Sequence, residues 1–218
     1  MKPLYRFILL TILVYAMIMV MLSNSFASKF LCSGFQEMTT IFLKWTLPEA
    51  HIESQQAFDA LKRPDPNSFH LIYGNPEIIR AEHQYARSQN LKEYKISTYS
   101  IQLFFFQLFT VPVAFLLALF IATPMPWKHK VKFSGIGIVL LLIAILSKVY
   151  LLMLYNFNVS AIGVYRLSAS GMEWITRIIS MLTLGFSIML CFVLWLLLAF
   201  RNSKLASLIS DYLKNFQP

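Results

Sequence analysis

Four long stretches of this chain hold almost no charge, and that pattern limits the possible folds more than any other feature. They are Phe7–Ser28, Ile96–Trp127, Phe133–Tyr165 with Lys148 as its single interruption, and Ile178–Phe200. A bilayer's hydrocarbon core is roughly 30 Å thick and a helix rises about 1.5 Å per residue, so about 20 apolar residues span it. All four stretches are long enough. In lipid every backbone N–H and C=O needs an internal partner, which leaves helices or a closed barrel. Barrel strands alternate over about ten residues, and these stretches do not. Only 13% of the 218 residues are charged, against about 25% in a soluble domain.

The net charge of +9 invites a nucleic-acid reading, and its distribution removes it. Residues Ser28–Lys95 carry eight basic and eight acidic side chains and are neutral. The surplus sits on short flanks: Lys2 and Arg6 before the first stretch, Lys128, Lys130 and Lys132 between the second and third, and Arg201, Lys204 and Lys214 after the fourth. Four crossings place these clusters on one side, which the positive-inside rule assigns to the cytoplasm. The sequence therefore predicts a membrane all-α protein with a small α+β extracytoplasmic domain and four transmembrane helices, N-in/C-in. The chain is expected to be a multi-pass membrane protein, with the lipid bilayer as its first partner and no nucleic acid. The expected domains are 1–28 (transmembrane helix 1), 29–98 (extracytoplasmic) and 99–218 (three transmembrane helices and a cytoplasmic tail).

The first stretch has two readings. Met1–Arg6, Phe7–Leu22 and Ser25-Phe26-Ala27 follow the order of a cleaved secretory signal, and the same residues make an uncleaved signal anchor. Both put residue 28 onward outside.

In the outer segment, Phe30, Phe35, Met38, Phe42 and Trp45 mark one side of a helix that Pro48 ends. That helix continues the first span, lies on the membrane, or packs on the small domain. A linker and a turn at Lys62–Asn67 follow. Strands are expected at Ser68–Tyr73, Ile78–Arg87 and Lys92–Thr98, separated by turns at Gly74-Asn75-Pro76 and Ser88-Gln89-Asn90, with the sheet feeding directly into the second span. Pro112 should bend that span near Phe109–Pro112. Gly135-x-Gly137 reads as a helix-packing site.

Candidate chemistry is sparse. Cys32 lies just beyond the first span, and His51, His83, Arg80 and Arg87 share its domain; a nucleophilic cysteine needs such a base or cation. No spacing rule ties them together. His51, His70 and His83 lack metal-ligand spacing, and no cofactor is expected. Asn158-Val159-Ser160 is a formal glycosylation acceptor. Among polar residues in apolar stretches, Lys148 snorkels or pairs with Glu173, and Gln102 and Gln107 precede Pro112. A notch at that proline, with two glutamines offering hydrogen bonds, is a partner-binding candidate.

Val111-Pro112-Val113-Ala114-Phe115-Leu116-Leu117-Ala118-Leu119-Phe120-Ile121-Ala122-Thr123-Pro124 resembles the P-L-x-x-A-L-x-x-A-T-P segment of small bacterial membrane proteins associated with exosortases, in particular the exosortase H-associated type. The order of an N-terminal span, a short outer segment and three further spans is also similar. The resemblance implies a multi-pass protein of the bacterial inner membrane, a non-catalytic accessory of a protein-sorting system, with a membrane-embedded sorting enzyme and its exported substrate as partners. Cys32-Ser33-Gly34 echoes the Cys-Ser-Gly of exosortases themselves, but no transmembrane helix follows it here. A membrane-embedded cysteine peptidase or transpeptidase using Cys32, and a small transporter or channel subunit, are the alternative functions.

Overall fold

The computed structural model describes residues 2–58, 63–90, 94–183 and 185–200. It is mostly helical with one small sheet. In chain order the elements are α1 (Lys2–Leu22), α2 (Ser25–Thr46), β1 (His51–Phe58), β2 (Pro64–Gly74), α3 (Pro76–Ser88) and β3 (Tyr99–Phe104). A π-helical turn (Phe106–Thr110) then leads into α4 (Val111–Ala122), followed by α5 (Trp127–Val159), α6 (Ala169–Thr183), α7 (Phe186–Trp195) and a second π-helical turn (Leu196–Phe200). Two helices are long and apolar enough to cross a membrane, Leu4–Leu22 and Trp127–Val159. A third candidate arises if Ala169–Leu182 and Phe186–Phe200 together make one bent span. The basic cluster Arg201, Lys204 and Lys214 lies outside the described residues.

The chain folds as two compact units: a helical unit of Met1–Ala27, Gln107–Ile145 and Leu182–Pro218, and a sheet unit of Ser28–Phe106 and Leu146–Met181.

In the helical unit, α4 lies among α1, α5 and α7. Phe7 stacks on Trp195 at 5.4 Å, and Tyr15 meets Phe115 edge-on at 6.2 Å. Trp195 Nε1 donates to Thr123 Oγ1 at 2.7 Å, and that hydroxyl donates to Leu119 O at 2.6 Å, so two buried polar groups satisfy each other. Gly137 permits the close approach of α5 to α4: a Cβ there would stand 3.0 Å from Phe120 and 3.2 Å from Leu116. Gly135 faces open space.

The sheet unit packs α2 across an antiparallel sheet of order β1-β2-β3. The face of α2 carrying Ser28, Cys32, Phe35, Thr39 and Leu43 is buried, a spacing of three and four residues that makes one helical stripe. Phe35 meets Phe69 of β2 at 6.1 Å and Phe105 at 5.5 Å, forming the aromatic centre of this core. The opposite side of α2 leaves Phe26, Phe30, Ile41 and Trp45 exposed. At the other end of the sheet, Tyr73 packs on Phe157 of α5 at 5.3 Å and its hydroxyl bonds Ser160 at 3.0 Å. The loop after α5 carries positive φ at Ala161, Gly163 and Tyr165. Asn158 holds it: its amide donates to Leu154 O at 2.8 Å and Tyr165 O at 3.1 Å, and its oxygen accepts from Leu167 N at 2.8 Å. The asparagine of the formal glycosylation acceptor is thus a structural pin. Glu173 bonds Arg177 one turn further along α6, at 2.5 Å.

Several sequence expectations are corrected. Ile96–Trp127 is not one helix. Its first third contains β3, where Leu103 is buried while Ser100, Gln102 and Phe104 are exposed, and β2 supplies the hydrogen bonds that a span would find internally. Ile78–Arg87 is helix α3, not a strand. Asn75 caps it by accepting from Glu77 N at 2.9 Å, and Pro76 starts its first turn, where a missing N–H costs nothing. The linker after Pro48 contains strand β1. Of the expected turn at Lys62–Asn67, residues 64–67 open strand β2, and Lys62 lies outside the described residues. Pro64 and Pro66 are tolerated there because β3 pairs with β2 only from Ser68 onward. In Lys92–Thr98, residues 92 and 93 are outside the described residues, and 94–98 form no strand. That segment is tied to α3: Ser97 N donates to Glu82 Oε2 at 2.7 Å, Ser97 Oγ donates to Glu82 Oε1, and His83 bonds Tyr94. The bonds from Ser97 hold the Glu82 carboxyl below the usual carboxylate range. Pro112 lies inside the apolar helix Phe106–Ala122, directly after its π-helical turn Phe106–Thr110, so the helical ladder is irregular where Pro112 was expected to bend it.

Candidate functional site

A half-open cavity of about 230 Å³ lies in the sheet unit, between α2 and the ends of β1 and β2 that are farthest from α3. Lys29, Cys32, Ser33 and Gln36 form its helical wall. Their spacing of i, i+3, i+4 and i+7 puts all four on one side of α2. Gln56 of β1 and Asp65, Pro66 and Ser68 of β2 form the facing wall.

Hydrogen bonds fix the walls relative to each other. Ser28 Oγ lies 3.1 Å from Pro66 O and 2.8 Å from Asn67 Oδ1, joining the start of α2 to the start of β2. Gln36 Nε2 donates to Ser54 Oγ at 3.1 Å, tying the middle of α2 to β1. Asp65 is held by its own strand: Asn67 N donates to Oδ1 at 2.9 Å and Ser68 Oγ to Oδ2 at 2.5 Å. Gln102 Nε2 of β3 donates to Ser68 Oγ at 2.9 Å. Two strands, β2 and β3, therefore hold one oriented carboxylate through a Gln102–Ser68–Asp65 chain. Such a group has little rotational freedom left to lose when it meets a ligand.

Cys32 is 5% exposed and sits in this wall. Burial pushes its thiol up to about 11, and the nearby Asp65 carboxylate adds to the rise. Both effects disfavour thiolate, the reverse of what a nucleophilic cysteine needs. The candidate bases are elsewhere. The cavity is reached by Gln56, and His51 lies five residues back along β1, about 16 Å away at strand rise, where it bonds Glu53 at 3.5 Å. Arg80, His83 and Arg87 belong to α3, which follows that same far end of the sheet. His70 pairs with Gln102 and Gln55 within the sheet. Among the described residues no three His, Cys, Asp or Glu side chains are arranged to hold a metal. Cys32 and Cys191 are both free thiols.

The three partner-binding candidates do not form one notch of a single helix. Gln102 is a strand residue that orients Ser68. Gln107 is exposed on the π-helical turn. Pro112 is buried in α4, and its carbonyl accepts from Cys191 Sγ at 3.3 Å. The sequence reading missed Asp65, Ser68 and Gln56. Asp65 stands between two prolines, a setting that reads as a turn, and nothing local shows that Cys32, more than 30 residues earlier, faces it.

No family model matches this chain, and no curated protein or solved structure matches it.

Proposed function

We propose that this chain is a non-catalytic membrane accessory of a bacterial protein-sorting or export system, which presents its sheet unit on the outer side of the inner membrane. The observation that carries this reading is the setting of Cys32. The thiol is kept neutral by burial and by the facing carboxylate of Asp65; none of His51, Arg80, His83 and Arg87 lines its cavity, and the cation that does, Lys29, is exposed at the mouth. A peptidase or transpeptidase would need the opposite arrangement. What surrounds the thiol is a helix-on-sheet module with a fixed polar cavity, a build suited to recognition. Its chain enters from the apolar helix α1 and leaves from β3 toward the apolar α4, so the module is tethered at both ends.

In this reading four spans hold the chain N-in and C-in: α1, the shorter apolar stretch Phe106–Ala122, α5, and the α6–α7 pair. The basic residues Arg6, Lys128, Lys130 and Lys132 mark the cytoplasmic side. The resemblance of Val111–Pro124 to exosortase-associated proteins supplies the kind of partner, a membrane-embedded sorting enzyme acting on an exported substrate.

The test is Cys32→Ser in the native host. Substrate processing should stay at the wild-type level, and the chain should co-purify in mild detergent with a membrane-embedded enzyme. Loss of processing with normal protein abundance and insertion would replace this reading with the cysteine-nucleophile one. Reporter fusions near Asn67 should be active outside and fusions after Arg201 inside; an outer C-terminus would end the four-span arrangement.

A further inference from the structure

We propose that the cavity between α2 and the β1–β2 ends binds a small zwitterion, whose ammonium group meets Asp65 and whose anionic group meets Lys29. Both side chains line the same space, yet among the described residues they form no ion pair with each other. Two opposite charges on facing walls that do not neutralise one another leave a gap that a dipolar molecule can bridge. A purely anionic ligand would face the Asp65 carboxylate, and a purely cationic one the Lys29 ammonium.

The two charged groups differ in a useful way. Asp65 is half-buried and locked by Asn67 N and by Ser68 Oγ, which Gln102 braces in turn. Its orientation is set before anything binds. Lys29 is exposed at the mouth and its flexible stem adjusts to the length of the ligand. Gln36 uses its amide nitrogen on Ser54, so its carbonyl oxygen remains to accept from an ammonium group. Cys32 contributes a small neutral surface.

Size narrows the class further. The cavity holds about 230 Å³, below the roughly 300–1,000 Å³ of pockets for drug-sized ligands. It fits a molecule the size of one amino acid or of a phosphoethanolamine group, and is too small for a nucleotide. Both ligands carry the required ammonium and anion. A lipid source is within reach, because Lys29 comes only seven residues after Leu22, the last residue of a helix able to span a membrane. Nothing in this assignment depends on the accessory reading above.

The experiment uses the purified full chain. In detergent, calorimetric titrations with glycine, L-glutamine, O-phosphoethanolamine and inorganic phosphate cover soluble ligands. In nanodiscs, phosphatidylethanolamine, phosphatidylcholine and phosphatidylglycerol are compared by the thermal midpoint of the protein. Binding of a free amino acid assigns a soluble ligand. Binding of O-phosphoethanolamine with a higher midpoint in phosphatidylethanolamine than in phosphatidylcholine assigns a lipid headgroup, since a trimethylated nitrogen cannot donate to Asp65. In either case Lys29→Gln and Asp65→Asn should each weaken binding about tenfold or more. Lys29 is exposed and holds no other element in place, so Lys29→Gln keeps the test valid even where Asp65→Asn disturbs the β2 start. The proposal fails if no zwitterion binds in either arm, if Lys29→Gln binds as well as wild type, or if inorganic phosphate binds more tightly than O-phosphoethanolamine.

Discussion

The reactivity of Cys32 separates a recognition module from a cysteine enzyme, and its magnitude follows from the cavity wall. Thiolate is the reacting form in alkylation. An ordinary cysteine at 9.0 is about one-tenth ionised at pH 8. With the folded thiol at about 11, only about one part in a thousand is ionised at that pH, so ionisation alone slows alkylation about 100-fold. Restricted access at 5% exposure slows it further, but by a factor that does not change with pH. The shape of the pH profile therefore isolates the electrostatic part. In a Cys191→Ala background, the iodoacetamide rate of the folded chain should climb about tenfold per pH unit up to roughly pH 10. The denatured chain should level off about two units earlier. Asp65→Asn should shift the folded profile to lower pH by less than the whole rise, because burial is the larger cause. The linkage has a definite sign. Between 9.0 and about 11 the folded chain keeps a proton that the unfolded chain has lost, so this group's contribution to stability falls as pH rises through that window. A folded profile that bends below pH 8, or a rate at pH 8 equal to that of the denatured chain, would refute the reasoning and restore Cys32 as a nucleophile.

Two further substitutions test the packing inside each unit, Gly137 in the helical one and Asn158 in the sheet one. Gly137→Ala adds a methyl 3.0 Å from the buried Phe120, an overpacking cost of about 1–3 kcal/mol against a helix-propensity gain of about 1 kcal/mol; its thermal midpoint in detergent should fall, whereas Gly135→Ala, which meets no atom within 4 Å, should hold or raise it. Equal responses at the two glycines would remove Gly137 as a packing site. Asn158→Ala removes the partner of the Tyr165 carbonyl and of the Leu167 N–H in the loop after α5 and should cost about 2 kcal/mol, with Asn158→Asp, which keeps only the acceptor, falling between; denaturation with no loss in Asn158→Ala would show that the loop is held by other contacts.

The apolar stretches were legible because lipid-compatible helices announce themselves by composition, and Leu4–Leu22 and Trp127–Val159 both emerge as spanning candidates. The buried stripe of α2 was half legible. Phe30, Phe35, Met38, Phe42 and Trp45 identified the helix, but Phe30 and Trp45 face outward while Cys32, Thr39 and Leu43 make the stripe that meets the sheet. The large apolar residues of a helix do not by themselves mark its packed side. Composition also hid β3. Tyr99–Phe104 sits at the edge of a long uncharged stretch; the polar–apolar alternation Ser100-Ile101-Gln102-Leu103 was present in the sequence, but it is only four residues long and runs into the apolar Phe104-Phe105-Phe106. Helix α3 had its full start grammar in Asn75-Pro76-Glu77, and reading those residues as a hairpin turn inverted the assignment.

The cavity was not legible at all, for a physical reason. Its walls come from α2 and from strand ends 20 or more residues away, and its key orientation depends on a third strand through Gln102 and Ser68. Sequence spacing reports residues that share one helix face, such as Lys29, Cys32, Ser33 and Gln36. It cannot report that the facing wall is a carboxylate, which here decides the chemistry. A histidine across from Cys32 would put a base within its reach; burial first, and Asp65 second, instead hold its thiol protonated.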